Sequence, residues 1–159
     1  MANEIKDKFG SSTALTITLA SLATSNVGVG RQSTLIDNTT DRYSKLYIFV
    51  KVRQDGSLTP TANRAVYVYL LKADDNATEH ISDGGGTTDA ALTIKNAQLI
   101  GALYNGTSPA AGDILYGEFI VHDPGRQWGV AIVNSTGKAL HSTGSNHWVR
   151  YVGANPEVQ

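Results

Sequence analysis

Alternation of apolar and polar residues over short segments is the feature that most constrains the fold of this chain. In "NRAVYVYLLKA" (63–73), two valines alternate with Tyr67 and Tyr69. A period of two is typical of a half-buried β-strand, because successive side chains of a strand point to opposite faces. The segment therefore predicts a strand with valine on one face and tyrosine on the other.

Similar segments recur along the chain, and Gly, Pro, Asn or Asp residues separate them. The predicted strands are 14–23, 31–37, 44–54, 63–73, 97–104, 112–125, 126–137, 138–144 and 146–153. The stretch 89–105 is compatible with a short helix or a strand, and we favour a strand over 97–104. About eight to ten short strands joined by turn residues predict an all-β fold, an antiparallel sandwich or barrel.

The length of 159 residues is typical of a single domain. We expect a β-domain over residues 13–153, an extended N-terminal arm over 1–12 and a C-terminal tail over 154–159. The opening residues lack the apolar core of a signal peptide, and no apolar run approaches the ~20 residues that cross a bilayer. We therefore expect a soluble protein made in a cytoplasm, with no membrane partner.

The chain has no cysteine, which excludes disulfides and thiolate chemistry. Its formal net charge is -1, and its 13 Lys and Arg residues are scattered. A nucleic-acid-binding protein usually has a basic patch that neutralises phosphates, so we expect no nucleic-acid partner. Four N-x-S/T sequons begin at Asn38, Asn76, Asn105 and Asn134, and we interpret them as turns.

The glycine run "DGGGTTD" (83–89) lies in an acidic stretch without Lys or Arg. The acids of this stretch are Asp74, Asp75, Glu79, Asp83 and Asp89. A phosphate-binding loop requires a following helix and usually a lysine, and neither follows here. Asp83 and Asp89 are weak candidates for a cation site, but their spacing fits no EF-hand loop. We interpret the stretch as a solvated connection, with no metal and no cofactor.

Candidate catalytic groups are sparse in this sequence. His141 and His147 could meet across a hairpin, but no motif such as H-E-x-x-H supplies further zinc ligands. Glu118 is the acid inside an apolar strand, and we interpret it as an outward-facing residue that alternates with its neighbours. The G-x-S-x-G motif of many hydrolases is absent. We therefore predict that the protein is not an enzyme.

Tyrosine and tryptophan are numerous relative to phenylalanine, with seven Tyr, two Trp and three Phe. These side chains combine an apolar ring with a polar group and are enriched at binding interfaces. Tyr67, Tyr69, Trp128 and Trp148 are the candidates for an aromatic interface, which would stack on a sugar or pack on another subunit. Packing in the core near a polar rim is the alternative interpretation.

Four segments distributed over most of the chain resemble small structural proteins of tailed bacteriophages. They are "MANEIKDKFGSSTALTITLASLA", "TANRAVYVYLL", "GDILYGEF" and "HWVRYVGANPEVQ". The resemblance is to head decoration or cement proteins, and it carries no catalytic signature. It implies a jelly-roll-like β-sandwich that binds the major capsid protein on the capsid surface and forms a homo-oligomer, often a trimer.

Terminal arms suit such an assembly protein, because an extended segment can add a strand to the edge of a neighbour's sheet. Ile5, Lys6, Lys8 and Phe9 are the residues that we expect to contact the capsid or another subunit. The alternative function is a carbohydrate- or receptor-binding β-domain of a phage tail or fibre, in which the aromatic residues stack on the ligand.

Overall fold

The computed structural model describes residues 4–74, 83 and 88–158, which form two antiparallel β-sheets and no α-helix. The strands are β1 (Ile5–Phe9), β2 (Thr13–Ala14), β3 (Val29–Gln32), β4 (Ile36–Asp37), β5 (Lys45–Arg53), β6 (Ala65–Ala73), β7 (Ala90–Thr93), β8 (Gln98–Tyr104), β9 (Ile114–His122), β10 (Gln127–Asn134) and β11 (Trp148–Val158). A 3₁₀ turn, Gly144–Asn146, precedes β11. The prediction of an antiparallel all-β sandwich is confirmed.

Sheet A has the order β1-β11-β5-β9, and β2 pairs with β11. Sheet B has the order β7-β3-β10-β6-β8, and β4 pairs with β10. Along the chain, β5, β9 and β11 lie in sheet A, whereas β6, β8 and β10 lie in sheet B. The connections therefore cross repeatedly between the two layers, and the core lies between them.

The core is built from the inward-facing residues of long strands. Ile48 and Val50 of β5 and Val66 and Val68 of β6 are completely buried. Burying one such aliphatic side chain stabilises the fold by about 1.5–3 kcal/mol. The strand predicted over 63–73 is therefore confirmed by β6, and its valine side faces the core.

The predicted strand over 14–23 is wrong beyond its first residue. The N–H of Leu15 donates to the carbonyl of Val149 in sheet A at 2.9 Å, whereas the carbonyl of Thr16 accepts from Thr34, between β3 and β4, at 3.1 Å. The backbone thus changes sheets between adjacent residues and forms no continuous ladder. Leu15 and Leu19 nevertheless enter the core, which explains the apolar alternation that predicted a strand.

Two further predicted strands differ from the structure. The segment 31–37 is divided into β3 and β4 because the hydroxyl of Ser33 accepts the N–H of Val130 at 3.0 Å, where a ladder would use a carbonyl. The segment 138–144 is not a strand; Leu140 makes an isolated bridge with Gln54. The favoured strand over 97–104 is confirmed by β8.

The two predicted arms pair with each other. Residues 5–9 of β1 lie antiparallel to residues 154–158 of β11, with Phe9 opposite Ala154. On its other side, β11 pairs with β5 only up to Ala154, which lies opposite Lys45, the first residue of β5. The residues of β11 after Ala154 therefore extend beyond β5 and have β1 as their neighbour. Ion pairs from Lys45 to Asp7 and from Lys8 to Glu157 fasten this terminal strand pair.

Buried asparagines hold several connections between strands. The side-chain amide of Asn134 donates to the carbonyls of Leu22 at 3.0 Å and Lys138 at 2.7 Å. Asn38 and Asn105 are also buried and bond to nearby backbone groups. Asn38 lies directly before a turn at residues 39–41, as expected, whereas Asn105 follows the end of β8 and Asn134 is the last residue of β10. Asn76 lies outside the described residues.

Glycine allows the edges of the two sheets to approach each other at β8 and β9. A Cβ atom added to Gly101 of β8 would lie 2.1 Å from the ring of Phe119, and one added to Gly117 of β9 would lie 2.4 Å from Leu103. No side chain fits at such distances. These glycines therefore let Phe119 fill the space between the two edge strands.

Gln54 and Asn134 are both completely buried, but their amides differ in hydrogen bonding. No partner for the Gln54 amide exists among the described residues, and an unpaired buried polar group costs about 1–3 kcal/mol. We expect Gln54→Met, which preserves volume, to raise the free energy of unfolding by about 1 kcal/mol in urea denaturation. Asn134→Ala should lower it, and a comparable loss for Gln54→Met would contradict this account.

Candidate interaction surface

The outward side of sheet A is rich in exposed apolar and aromatic side chains. We call it the sheet A face, and it comprises Phe9 of β1, Tyr47, Phe49 and Lys51 of β5, Ile114, Tyr116, Glu118 and Ile120 of β9, and Trp148, Arg150 and Val152 of β11. Tyr116 is 62% exposed and Ile120 52% exposed. Contiguous exposed apolar surface is typical of an interaction site.

Strand register brings the aromatic residues of this face into pairs. Lys51 lies opposite Trp148 on one side and Tyr116 on the other. The rings of Tyr116 and Trp148 approach across it, with centroids 6.3 Å apart. Phe9 and Tyr47 form a second pair at 5.5 Å. The face thus carries two aromatic pairs contributed by four different strands.

Two cations lie on these rings. The Nζ of Lys51 is 6.0 Å from the ring centroid of Tyr116, and the guanidinium carbon of Arg150 is 5.5 Å from that of Trp148. Contacts of this kind at exposed sites contribute about 0.5–1 kcal/mol each. Neither cation forms an ion pair within the part of the chain that the structure describes. Both charges therefore remain available to carboxylates of a partner.

Of the predicted contact residues of the N-terminal arm, Phe9 belongs to this face, and Ile5, Lys6 and Lys8 lie on the same strand, β1. Ile5 is 73% exposed and Phe9 58% exposed, and the contact of Phe9 with Tyr47 joins β1 to the sheet A face. Lys6 pairs with Glu4 at 2.8 Å, and Lys8 pairs with a residue of β11. The structure thus brings Phe9 and Trp148, which are 139 positions apart in the sequence, onto one surface.

The predicted aromatic interface is divided among three places. Trp128 is completely buried and makes an edge-to-face contact with Tyr151 at 4.8 Å, so it belongs to the core and not to an exposed interface. Tyr67 and Tyr69 are half-buried on the outward side of β6 in sheet B, where burial raises the pKa of Tyr69. Of the four predicted residues, Trp148 belongs to the sheet A face.

Several residues of the face were missed by sequence reasoning. Tyr47, Lys51, Tyr116 and Arg150 each lie in a predicted strand and alternate with buried residues. The alternation separates the two sides of each strand. It contains no information on which strands are neighbours, so it cannot show that these residues share one surface.

The weak cation candidates make structural hydrogen bonds instead of converging on one another. The carboxylate of Asp83 accepts the backbone N–H groups of Lys95, Asn96 and Ala97, the last at 2.9 Å. Burial alone would raise the pKa of Asp83. The three hydrogen bonds together have a larger effect in the opposite direction, so the pKa of Asp83 lies below its usual value. Asp89 pairs with Arg31 at 2.7 Å.

No group of three or more His, Asp or Glu side chains suited to a metal ion occurs among residues 4–74, 83 and 88–158. Of the remaining acids in the acidic stretch, Asp75 and Glu79 lie outside the described residues. The structure therefore gives this stretch a local structural role at Asp83 and Asp89.

The two candidate zinc histidines bond to the chain itself. Nδ1 of His147 accepts the N–H of Arg53 at 3.2 Å, and its Nε2 lies 2.8 Å from the carbonyl of His141. Since Nδ1 accepts, the proton of the neutral ring is on Nε2. Both ring nitrogens of His147 are thus occupied. Glu118 is exposed on the sheet A face, which confirms its interpretation as an outward-facing residue.

Comparison with known protein families finds no family model that matches this chain, and comparison with curated proteins finds no significant match. In the described parts of the chain, no helix has the length and apolar character needed to cross a membrane. The sheet A face is therefore the feature from which a function is argued.

Burial lowers the pKa of His147 below its usual value near 6.5. The unfolded chain takes up a proton at this residue before the folded chain does, so stability is retained above about pH 6.5 and falls as the pH decreases below it. We expect a lower free energy of unfolding at pH 5.5 than at pH 7.5 in urea denaturation. His147→Gln should reduce this difference, and exposed His122→Gln should leave it unchanged. An equal effect of both substitutions would contradict the assignment.

Proposed function

We propose that this protein is a non-enzymatic virion protein of a tailed bacteriophage that binds the capsid exterior and stabilises it. The sheet A face is the observation that carries the proposal. It combines exposed rings and aliphatic side chains with Lys51 and Arg150, which remain free of ion pairs in the described residues. Aromatic residues and arginine are enriched in the buried centres of protein–protein interfaces.

The path of the chain supports a jelly-roll assignment. With β1 and β2 taken as one broken strand, and β3 and β4 as another, one sheet has four strands in the order β1/β2-β11-β5-β9 and the other has β3/β4-β10-β6-β8. This is the strand order of a double Greek-key jelly roll, to which β7 adds an edge. Jelly rolls occur in viral capsid proteins and in lectins, so this architecture is compatible with the proposal but does not by itself select a function.

The size of the face favours several copies acting together. Three strands of about nine residues and the five residues of β1, about 4.8 Å apart and at about 3.3 Å per residue, give an area of about 500 Å². A standard stable interface uses about 800 Å² of each partner. One copy alone would therefore bind weakly, and a homo-oligomer, which we propose to be a trimer, would bind with higher avidity.

The sheet A face also suggests the chemistry of the capsid surface that it binds. Lys51 and Arg150 contact the rings of Tyr116 and Trp148 toward one end of the face. An apolar patch of the major capsid protein that presents carboxylates at one end would match this arrangement. Ile5 and Phe9 would extend the contact along the terminal strand pair.

We expect the double variant Phe9→Ser/Tyr116→Ser to bind capsids at least tenfold more weakly than the unsubstituted protein, because truncating two aromatic anchors of an interface costs about 1–2 kcal/mol or more. Co-sedimentation with capsids that lack the protein measures this loss. Leu58→Ser, which changes a 51% exposed residue in a loop, is the control and should bind normally. Normal binding by the double variant would rule out the face as the capsid contact.

The alternative function, a carbohydrate- or receptor-binding domain of a phage tail or fibre, is favoured by the Tyr116–Trp148 pair. Sugars stack on exposed aromatic rings, and two rings on one sheet form a platform for an extended glycan. Under this alternative, a glycan array should give a signal that Trp148→Ala removes and that Phe9→Ser, at the distant pair, retains. No signal at high protein concentration would count against it.

A further inference from the structure

Among the strands that the structure describes, β9 forms an open edge of sheet A. Its pairing with β5 is framed by two backbone hydrogen bonds, from the N–H of Gln54 to Asp113 at 2.8 Å and from the N–H of Asp123 to Ser44 at 2.9 Å. Hydrogen-bonded pairs alternate in an antiparallel ladder, so the odd-numbered residues of β9 bond to β5. The backbone groups of the even-numbered residues, from Ile114 to His122, therefore point away from the sheet.

This edge lacks the features that usually prevent strands from pairing with another chain. Strand β9 has nine residues, contains no lysine or proline, and pairs with β5 without a register shift. By contrast, β7 has four residues, and β8 has a register shift in its pairing with β6. Long, regular and apolar edges are templates for strand addition. Among the described strands, β9 is the least protected edge.

The opposite edge of sheet A is formed by β1. The N–H of Gly10 donates to Gly153 at 2.8 Å, so the same alternation directs the backbone groups of Ile5, Asp7 and Phe9 away from β11. The strands β1, β11, β5 and β9 are successively antiparallel. A second copy of β1 placed beside β9 would therefore be antiparallel to it and continue the sheet.

We propose that β1 of one copy pairs with the open edge of β9 in a second copy, with Phe9 opposite Ile120. This register places Asp7 opposite His122. Phe9 and Ile120 are both exposed apolar residues of the outward side, and the carboxylate of Asp7 faces the imidazole of His122. Such pairs stabilise adjacent strands.

Registers shifted toward the start of β9 fit less well. If β1 is shifted by two residues toward the start of β9, Phe9 lies opposite Glu118. If it is shifted by four residues in that direction, Asp7 lies opposite Glu118. Like charges directly opposite each other destabilise a strand pair. Antiparallel pairing of two β9 strands centred on Glu118 would likewise place two carboxylates opposite each other. Charge complementarity therefore favours β1 of a second copy as the occupant of this edge.

The pairing is head-to-tail, because each copy offers β1 on one side and β9 on the other. Such contacts close into a ring or extend into a filament. Either arrangement joins the sheet A faces of neighbouring copies into one surface. The inference thus rests on the proposed homo-oligomer and deepens it, but it is tested without capsids.

The absence of cysteine allows a direct test by cross-linking. The full chain carrying Phe9→Cys and Ile120→Cys should form covalent multimers on oxidation with copper phenanthroline, measured on non-reducing gels. Within one copy the two positions are separated by β11 and β5, about 14 Å or more, which exceeds the reach of a disulfide of about 7 Å between Cα atoms. A multimer ladder therefore reports contact between copies.

The matched control is Phe9→Cys with Tyr116→Cys. Tyr116 lies on the same side of β9 as Ile120, four residues or about 13 Å away along the strand, so this variant should remain monomeric on the gel. Equal cross-linking of both variants, or of neither, would overturn the proposed register.

Light scattering provides a second measurement that needs no cysteine. The unsubstituted protein should have a mass that is a multiple, at least twofold, of the 16.9 kDa of one chain. The multimer of the Ile120→Lys variant should dissociate into single chains at protein concentrations at least tenfold higher than the unsubstituted multimer does. Val27→Lys, at a 75% exposed loop position, should leave the mass unchanged. A single-chain mass for the unsubstituted protein at all concentrations would overturn the proposal, even if Ile120→Lys weakened capsid binding. If the unsubstituted protein had a multimeric mass but did not bind capsids, this result would contradict only the proposed function.

Discussion

Packing of the inward side of β5 against the inward sides of β6 and β10 is the constraint on which the other features depend. Ile48, Val68 and Ile132 are completely buried in the core cluster. Because side chains alternate along a strand, burying these residues leaves Tyr47 and Lys51 on the opposite side of β5. The aromatic and cationic surface of sheet A thus follows from the choice of the core side.

Antiparallel pairing applies the same logic to the backbone. Once β9 bonds to β5 through its odd-numbered residues, the backbone N–H and C=O groups of its even-numbered residues point away from β5, at the edge of the sheet. The side chains of those even-numbered residues also belong to the sheet A face. One strand therefore contributes exposed side chains, including Tyr116, to the proposed capsid contact and outward backbone groups to the proposed contact between copies. Capsid binding and self-association can be separated experimentally, since cross-linking and light scattering measure self-association without capsids.

Much of the secondary structure could be predicted from local pattern, and the failures have identifiable causes. The segments containing β5, β6 and β9 are predictable because each keeps the same neighbouring strand for many residues and has one side more buried than the other. The segment 14–23 has the same apolar pattern, but Leu15 bonds to sheet A and the carbonyl of Thr16 to the β3–β4 connection. Burial and pairing are separate requirements, and the sequence pattern reports burial alone.

The sequence by itself determined the all-β architecture, the two-sided character of its strands and the absence of thiol chemistry, because these depend on local periodicity and composition. Only the tertiary structure decided that Trp128 fills the core and that Trp148 lies on the surface. It also brought Phe9 into contact with Tyr47 on the same surface as Trp148. The physical reason is that a strand acquires its inside and its neighbours through contacts with residues distant in the sequence. Local alternation distinguishes two sides of a strand, but the packing of the sheets determines which side faces the solvent.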